Sequence, residues 1–152
     1  MSDISVFLKD KKKTTPNVKV AVCADFKDEN GNAIEWEIRK LTTREMSDAR
    51  TICTSMKNVK TKGKMQSEFV LDSERLLRVL TSKAVVYPDL TDKTLADSYM
   101  SDYPLDERIP ENLVMLMLSD KDDFETLAVA VTKLNNLTDS EENDEAVITA
   151  KN

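Results

Sequence analysis

The sequence predicts an α+β fold, in which an N-terminal β-hairpin forms a small antiparallel sheet packed on a mainly α-helical domain. Three observations support this prediction. Glycine occurs only 2 times in 152 residues, a scarcity that long helices tolerate better than many-turned β-sandwiches do. Two alternating apolar runs flank an Asn-Gly pair. A helix-capping sequence follows the second run directly. From the chain length we expect a single domain over residues 1–137.

The β-hairpin is expected over residues 17–40. The run VKVAVCADF alternates, and after KDENGN the alternation resumes with Trp36 and Ile38. The stretch FKDENGNAIEWE also resembles an EF-hand calcium loop, with Asp, Asn, Gly and Glu at its third, fifth, sixth and twelfth positions. However, its first position is Phe26, which offers no side-chain oxygen, and predicted strands rather than helices flank it. We therefore interpret the stretch as a turn and expect no metal site.

Five helices are expected after the hairpin. Thr42 and Glu45 form a capping box, and apolar residues then recur at helical spacing. A second apolar stripe ends at Pro88, which stops a helix. The predicted helices cover residues 43–57, 66–87, 92–100, 111–118 and 122–134.

The core is expected between one face of the hairpin and two of these helices. Alternation in the strands and the three-to-four-residue spacing in the helices define the two faces. The hairpin contributes Phe26, Ile34, Trp36 and Ile38, and the helices contribute Met46, Ile52, Leu76, Leu77 and Leu80.

The lysine-rich segment KNVKTKGK, residues 57–64, has two interpretations. It could bind phosphate, or it could be a solvated loop that joins two helices. An acidic chain with no aromatic residues between these lysines favours the solvated loop. The other charged segment is the C-terminal 138–152, where five acids lie between Asp139 and Glu145. It is expected to be a disordered acidic tail.

Composition narrows the function. The net charge of −6 disfavours nucleic-acid binding. The chain has no histidine, no Gly-rich phosphate loop and no serine in a Gly-flanked elbow, so we expect no enzyme and no cofactor. Cys23 and Cys53 are expected to be buried thiols rather than a disulfide or zinc ligands. No signal peptide or membrane span is evident, which predicts a cytoplasmic protein without a membrane partner.

By elimination, the chain is expected to be a binding or assembly protein. The candidate partner-binding residues are Val114, Met115 and Met117 in the segment LVMLML, because flexible thioethers suit surfaces that accept varied apolar partners. The alternative is that this short apolar helix belongs to the core, which is the commoner outcome for such a segment.

A series of motifs resembles the XkdN-like tail assembly chaperones of bacteriophages and prophages. The stretch DFKDENGNAIEWEIRKLTTRE matches the family pattern RFxDxxGxxxxWxIRxLTxxE. The later stretches VVYPDLTDKTLADSY and ENLVMLMLSDKDDFETLAVAVTKLNNL are similar to further family segments in the same order. The chain departs from the family where Met100 and Asn136 replace glycines. Asn136 can keep a left-handed helix end, whereas Met100 puts the expected turn at 100–103 in doubt.

The resemblance implies a function without covalent chemistry. Such chaperones bind the apolar tape measure protein in the host cytoplasm, keep it soluble and leave as tail tube subunits polymerise, so they are absent from the mature virion. It also implies the tail tube protein, self-association and a frameshifted long form as further partners. The ending AKN fits a slippery codon run. The runner-up is a structural or scaffold subunit of the tail.

Overall fold

The computed structural model describes residues 3–137 of the chain. The predicted acidic tail at 138–152 lies outside the described residues. The described elements follow in chain order, together with short 3-10 turns at Ile4–Phe7, Lys9–Lys11 and Leu105–Glu107: β1 Val18–Ala21, β2 Glu35–Ile38, α1 Thr43–Ile52, β3 Thr54–Thr61, β4 Lys64–Leu71, α2 Ser73–Ala84, β5 Val85–Tyr87, α3 Lys93–Met100, α4 Pro110–Met117 and α5 Lys121–Leu134. Small antiparallel sheets and helices together confirm the predicted α+β class.

A three-stranded antiparallel sheet in the order β1-β2-β5 contains the predicted N-terminal hairpin. Val20 pairs with Trp36 in β1 and β2, and Ile38 pairs with Val85 in β2 and β5. Trp36 and Ile38 point into the core and are fully buried, as the alternation predicts. The predicted alternation stops at Val22 and Cys23, where β1 has ended. The side chains of these two consecutive residues are both buried, whereas a strand would place them on opposite faces.

The stretch FKDENGNAIEWE forms a turn, as predicted. The Asp28 carboxylate accepts hydrogen bonds from the backbone N–H groups of Asn30 and Asn32, each at 2.9 Å. Gly31 adopts φ 84°, a left-handed conformation that glycine supplies without steric cost. The Asp28 carboxylate, which would be a calcium ligand in an EF-hand loop, therefore stabilises the turn by accepting backbone hydrogen bonds.

Helix α1 begins at the predicted residue. The Thr42 hydroxyl accepts from the backbone N–H of Glu45 at 3.1 Å, and the Glu45 carboxylate accepts from the backbone N–H of Thr42 at 3.1 Å. These two bonds are the capping box that the sequence predicts. The helix ends at Ile52 rather than at the predicted residue 57.

The predicted helix boundaries at 57 and 66 are wrong, because a second hairpin occupies this region. Strands β3 and β4 pair along eight residues each, from the Thr54–Leu71 pair to the Thr61–Lys64 pair. The lysine-rich segment 57–64 is therefore most of a strand and its turn, not a loop between helices. The following helix α2 starts at Ser73, since the Asp72 carboxylate caps it by accepting from the backbone N–H of Arg75 at 3.0 Å.

Helix α2 is the centre of the core. Val79, Leu80 and Ala84 are buried on it, and it contacts α1, α4 and α5. It ends at Ala84 rather than at the predicted residue 87, because β5 follows at once and pairs with β2. The three later helices lie within one residue of the predicted 92–100, 111–118 and 122–134.

The predicted core faces are correct at their centre and wrong at their margins. Leu80 is buried, and Phe26 packs on Trp36 with ring centroids 6.4 Å apart. Ile52 and Leu77 are exposed instead. Ile52 is the last residue of α1, where the chain leaves the domain body, and Leu77 lies at the edge of the buried stripe of α2. Phe26, Ile34, Met46 and Leu76 are partly buried.

The end of α5 connects to the segment before α1. The Asn135 side chain is buried, and its Oδ1 accepts from the backbone N–H of Leu41 at 2.6 Å. Asn136 follows with φ 56°, and the backbone N–H of Leu137 donates to the Thr132 carbonyl at 2.8 Å. This is a Schellman helix end, in which asparagine takes the left-handed position that glycine usually holds.

Candidate partner-binding surface

Helix α4 contains the three residues that the sequence analysis proposes for partner binding. Ile109 precedes it, and Pro110 at its first position supports its start. The structure leaves Val114 0% exposed and Met117 9% exposed, whereas Met115 is 40% exposed. Val114 and Met117 therefore pack in the core, and Met115 is the residue of the three that a partner can reach.

An ion pair fixes α4 against α2. The Arg75 guanidinium donates to both oxygens of Glu111, at 3.3 Å from Nε and 3.0 Å from Nη2. Its Nη1 also donates to the Ile52 carbonyl at 3.2 Å. Glu111 is buried, so this two-point contact compensates a charge that would be costly alone. Met115 lies one helical turn after Glu111, on the same side of α4.

An uncovered apolar surface lies on the β3–β4 hairpin. In antiparallel strands, side chains of directly paired residues share one face. The pairs Met56–Phe69, Thr54–Leu71 and Lys60–Met65 therefore lie on one side. We call Met56, Met65, Phe69 and Leu71 the hairpin apolar face.

The hairpin apolar face is open to solvent. Phe69 is 77% exposed, Met65 67% and Met56 60%. Only Thr54, Val59 and Val70 are even partly buried within Thr54–Leu71. An exposed apolar cluster of this kind commonly marks an interaction surface.

A cleft joins the hairpin apolar face to α1. It has a volume of about 440 Å³ and is lined by Met56 and Phe69 on one side and by polar residues of α1, including Arg50, on the other. The cleft therefore has an apolar floor and a polar wall with one cation.

Sequence reasoning missed this surface because Met56 fits a helical spacing with Ala49 and Ile52, and Phe69 fits one with Leu76. A signal was present in the alternation of Met65, Ser67, Phe69 and Leu71 after Lys62-Gly63. A strand run that follows a glycine turn is typical of a hairpin.

The hairpin is basic within an acidic chain. Lys57, Lys60, Lys62 and Lys64 against Glu68 give residues 54–71 a charge of +3, while the whole chain carries −6. The register puts Lys57 and Lys64 on the face opposite Lys60. The lysines therefore do not converge on one phosphate-sized point, and Lys60 is the strand lysine that shares the apolar face.

A second uncovered apolar segment lies near the N-terminus. Ile4, Val6, Phe7 and Leu8 are all exposed, and four lysines follow them in KDKKK. This segment has the same combination of apolar side chains and neighbouring cations as the hairpin.

Three side chains of metal-binding type meet beside α5. The Sγ of Cys23 and carboxylate oxygens of Asp25 and Asp123 lie within 4.8 Å of one another. Burial raises the pKa of the Cys23 thiol to about 11. The protonated thiol donates to Asp25 Oδ2 at 3.5 Å, so a hydrogen bond already links the two. Cys53 is also a buried free thiol, and burial raises its pKa.

Carboxyl groups with a displaced pKa do not show the direction that a general acid needs. Within residues 3–137, the pKa of Asp3, Glu45 and Asp89 departs from the ordinary value, and each is lowered by hydrogen bonding. A general acid at neutral pH requires a raised pKa.

Between Asp3 and Leu137, no helix has both the length and the apolar character needed to cross a bilayer.

Comparison with known proteins gives one consistent result. A family model for "Phage XkdN-like tail assembly chaperone protein" matches residues 4–148. The chain is 29% identical over 104 residues to the phage-like element PBSX protein XkdN of Bacillus subtilis (strain 168), a match covering 68% of each protein. It is 27% identical over 104 residues to uncharacterized protein YqbN of the same strain.

A solved structure has the same fold. The crystal structure of the protein YqbN matches with a TM-score of 0.68, over 90% of this chain and 98% of that chain, at 19% identity. The similarity therefore extends beyond the segment in which the sequences align well.

Proposed function

The chain belongs to the XkdN-like family of phage tail assembly chaperones, and on this premise we propose that it binds the tape measure protein during tail morphogenesis. In this proposal it acts in the cytoplasm of the bacterial host and keeps the tape measure protein soluble. It leaves when tail tube subunits polymerise around the tape measure protein. The family match over residues 4–148 is the observation on which this rests.

The surface of the chain is suited to such a role. A long amphipathic client exposes apolar stripes that aggregate unless they are covered. The hairpin apolar face and Met115 offer exposed Met and Phe side chains, which adapt to varied apolar partners. The net charge of −6 helps to keep a coated complex dispersed.

Release needs no covalent step. If tube subunits bind the same regions of the tape measure protein, their accumulation displaces the chaperone by mass action. Many separate weak contacts suit this exchange, because no single one holds the client. A frameshifted long form of the chain, or a second copy, would add contacts by raising the local concentration.

Co-expression tests the proposal. We expect the tape measure protein of the same phage to be mostly insoluble alone, and soluble and retained on a tag when this chain is co-expressed. An unrelated acidic protein of similar size is the control. Equal solubility of the tape measure protein with and without the chain would refute the proposal.

Met115 tests the contribution of α4 to client binding. Met115→Asp should lower the soluble fraction of the tape measure protein several-fold, because it places a charge on an exposed apolar contact. Met117 is unsuitable for this test, since a charge at a 9% exposed position would disturb folding. Leu105→Asp, at an exposed residue of a 3-10 turn, is the matched control. An unchanged soluble fraction with an intact fold would remove Met115 from the contact surface.

A further inference from the structure

We propose that the hairpin apolar face docks an apolar segment of the tape measure protein that carries acidic side chains beside its apolar ones. This inference rests on the proposed function and adds the contact surface and the chemistry of the client segment. It concerns Thr54–Leu71, of which only residues 57–64 were considered for binding from the sequence, and then for phosphate.

The β3–β4 hairpin makes few contacts with the rest of the domain. A two-stranded hairpin has marginal stability in water unless something packs on it. Here no residue from Thr54 to Leu71 is buried. Met56, Met65, Phe69 and Leu71 lie on one face, whereas the partly buried Val59 and Val70 lie on the other. At the base of the hairpin, the backbone N–H of Asp72 donates to the Cys53 carbonyl at 2.9 Å. The apolar face is thus free to receive a partner.

The charge of the hairpin favours an acidic partner segment. The hairpin carries +3, so the rest of the chain carries −9. Lys60 lies on the apolar face, opposite Met65, Lys62 lies at the turn, and Arg50 lines the adjoining cleft. Complementarity therefore favours a partner segment with carboxylates next to its apolar residues.

The same charges disfavour a second copy as the occupant. A second copy would have to bring its own apolar segments, and the two runs with several exposed apolar side chains in the described residues 3–137, the hairpin and residues 4–13, are basic. Like charges would then face each other. An anionic lipid surface would attract the same lysines, so the vesicle experiment below distinguishes lipid from the client segment.

The test compares variants in the co-expression and pull-down experiment. Met56→Thr with Phe69→Thr removes two apolar anchors and keeps strand-forming residues. We expect about tenfold less tape measure protein retained, as for the loss of interface anchors. Leu105→Ser with Val129→Thr removes exposed apolar surface elsewhere and is the matched control, with retention expected to stay at the wild-type level. Circular dichroism and the unfolding midpoint verify that all variants fold.

A charge variant tests the acidic flank. Lys60→Glu with Lys62→Glu changes the lysine on the apolar face and the lysine in the turn. It should reduce retention and weaken the dependence of retention on salt, because attraction becomes repulsion. Lys93→Glu with Lys133→Glu changes the net charge equally on other exposed positions and should retain the client. Equal losses in both variants would mean that net charge, not the hairpin, matters, and would overturn the proposal.

The outcomes separate the two proposals. If the wild-type chain retains no tape measure protein, the proposed function fails and this inference fails with it. If wild type and Met56→Thr with Phe69→Thr retain it equally, only the hairpin inference fails. Loss of self-association or of binding to anionic vesicles in that variant, with client retention unchanged, would assign the face to a second copy or to lipid.

Amide hydrogen exchange tests the remaining alternative, in which the chain's own acidic segment occupies the hairpin apolar face. We expect exchange in Thr54–Leu71 to slow in the complex with the tape measure protein relative to the free chain. If these amides are already protected in the free chain, and Glu141→Gln with Glu142→Gln removes the protection, the chain's own acidic segment occupies the face and the proposal is wrong.

Discussion

At the scale of single residues, Glu45 takes part in two interactions at the start of α1. Its carboxylate completes the capping box with Thr42, and it accepts from the Arg39 guanidinium, at 2.8 Å from Nη1 to Oε1. The Arg39 hydrogen bond is the main cause that lowers the pKa of Glu45 to about 2. Arg39, Thr42 and Glu45 all belong to the IRKLTTRE part of the family pattern. The ion pair and the capping box therefore explain why these residue types occur together at the start of α1.

Glu45→Gln separates the two interactions, because glutamine still completes a capping box but cannot pair with Arg39. We expect an unfolding free energy lower by about 0.5–1 kcal/mol at pH 7, since the pair is partly exposed. The folded-state pKa of Glu45 lies below the ordinary glutamate value of 4.5. The contribution is therefore complete above about pH 4.5 and disappears as the pH falls through about 2. Denaturation at several pH values measures this, and a difference that persists unchanged at pH 2 would contradict it.

Two substituted family glycines show how far single residues could be predicted. Asn136 was expected to keep a left-handed helix end, and its φ of 56° confirms that expectation. Met100 is the last residue of α3 and is fully buried, and Ser101 after it is right-handed. Helix α3 therefore ends without a left-handed residue, and the side chain of its last residue, Met100, packs in the core. Local propensity sufficed for Asn136, whereas Met100 depended on packing.

At the scale of elements, the sequence predicted those whose signals are local. The Asn-Gly turn and the capping box correctly located the first hairpin and the start of α1, and the last three helices lie within one residue of their predicted ranges. The β3–β4 hairpin was missed because polar residues interrupt its apolar side, so Met56 and Phe69 matched helical spacing equally well. Only cross-strand pairing distinguishes the two, and that pairing is set by the turn at Lys62-Gly63.

Gly63→Val tests whether the hairpin is a separate element. Lys62 and Gly63 have φ of 52° and 77°, and a β-branched residue at such a φ costs about 1–2 kcal/mol. A Cβ at Gly63 would meet no atom within 4 Å, so the cost is conformational. We expect faster amide exchange throughout Thr54–Leu71 and weaker client retention, while the global unfolding midpoint stays near wild type.

The matched control is Lys62→Asn, because asparagine adopts positive φ readily and suits this turn. It should leave amide exchange in the hairpin at the wild-type rate or slow it. If Gly63→Val instead lowered the global unfolding midpoint as much as a core substitution does, the hairpin would unfold together with the domain, and the prediction would be wrong.

At the scale of the whole molecule, the chain combines an acidic domain with exposed basic and apolar segments. Composition predicted a binding protein, because residues for catalysis are scarce. It could not predict the binding surface, since exposure depends on which apolar residues the fold leaves uncovered. Val114 and Met117 proved to be core, whereas Met56 and Phe69 are exposed. The alternative function, a structural or scaffold subunit, would use similar surfaces, so shape alone does not separate the two.

Quantitative mass spectrometry of assembly intermediates and finished particles separates them most directly. The account predicts that this chain accompanies the tape measure protein in soluble intermediates and is absent from purified mature particles. A fixed number of copies of the chain in mature particles would contradict the account and identify a structural subunit of the tail.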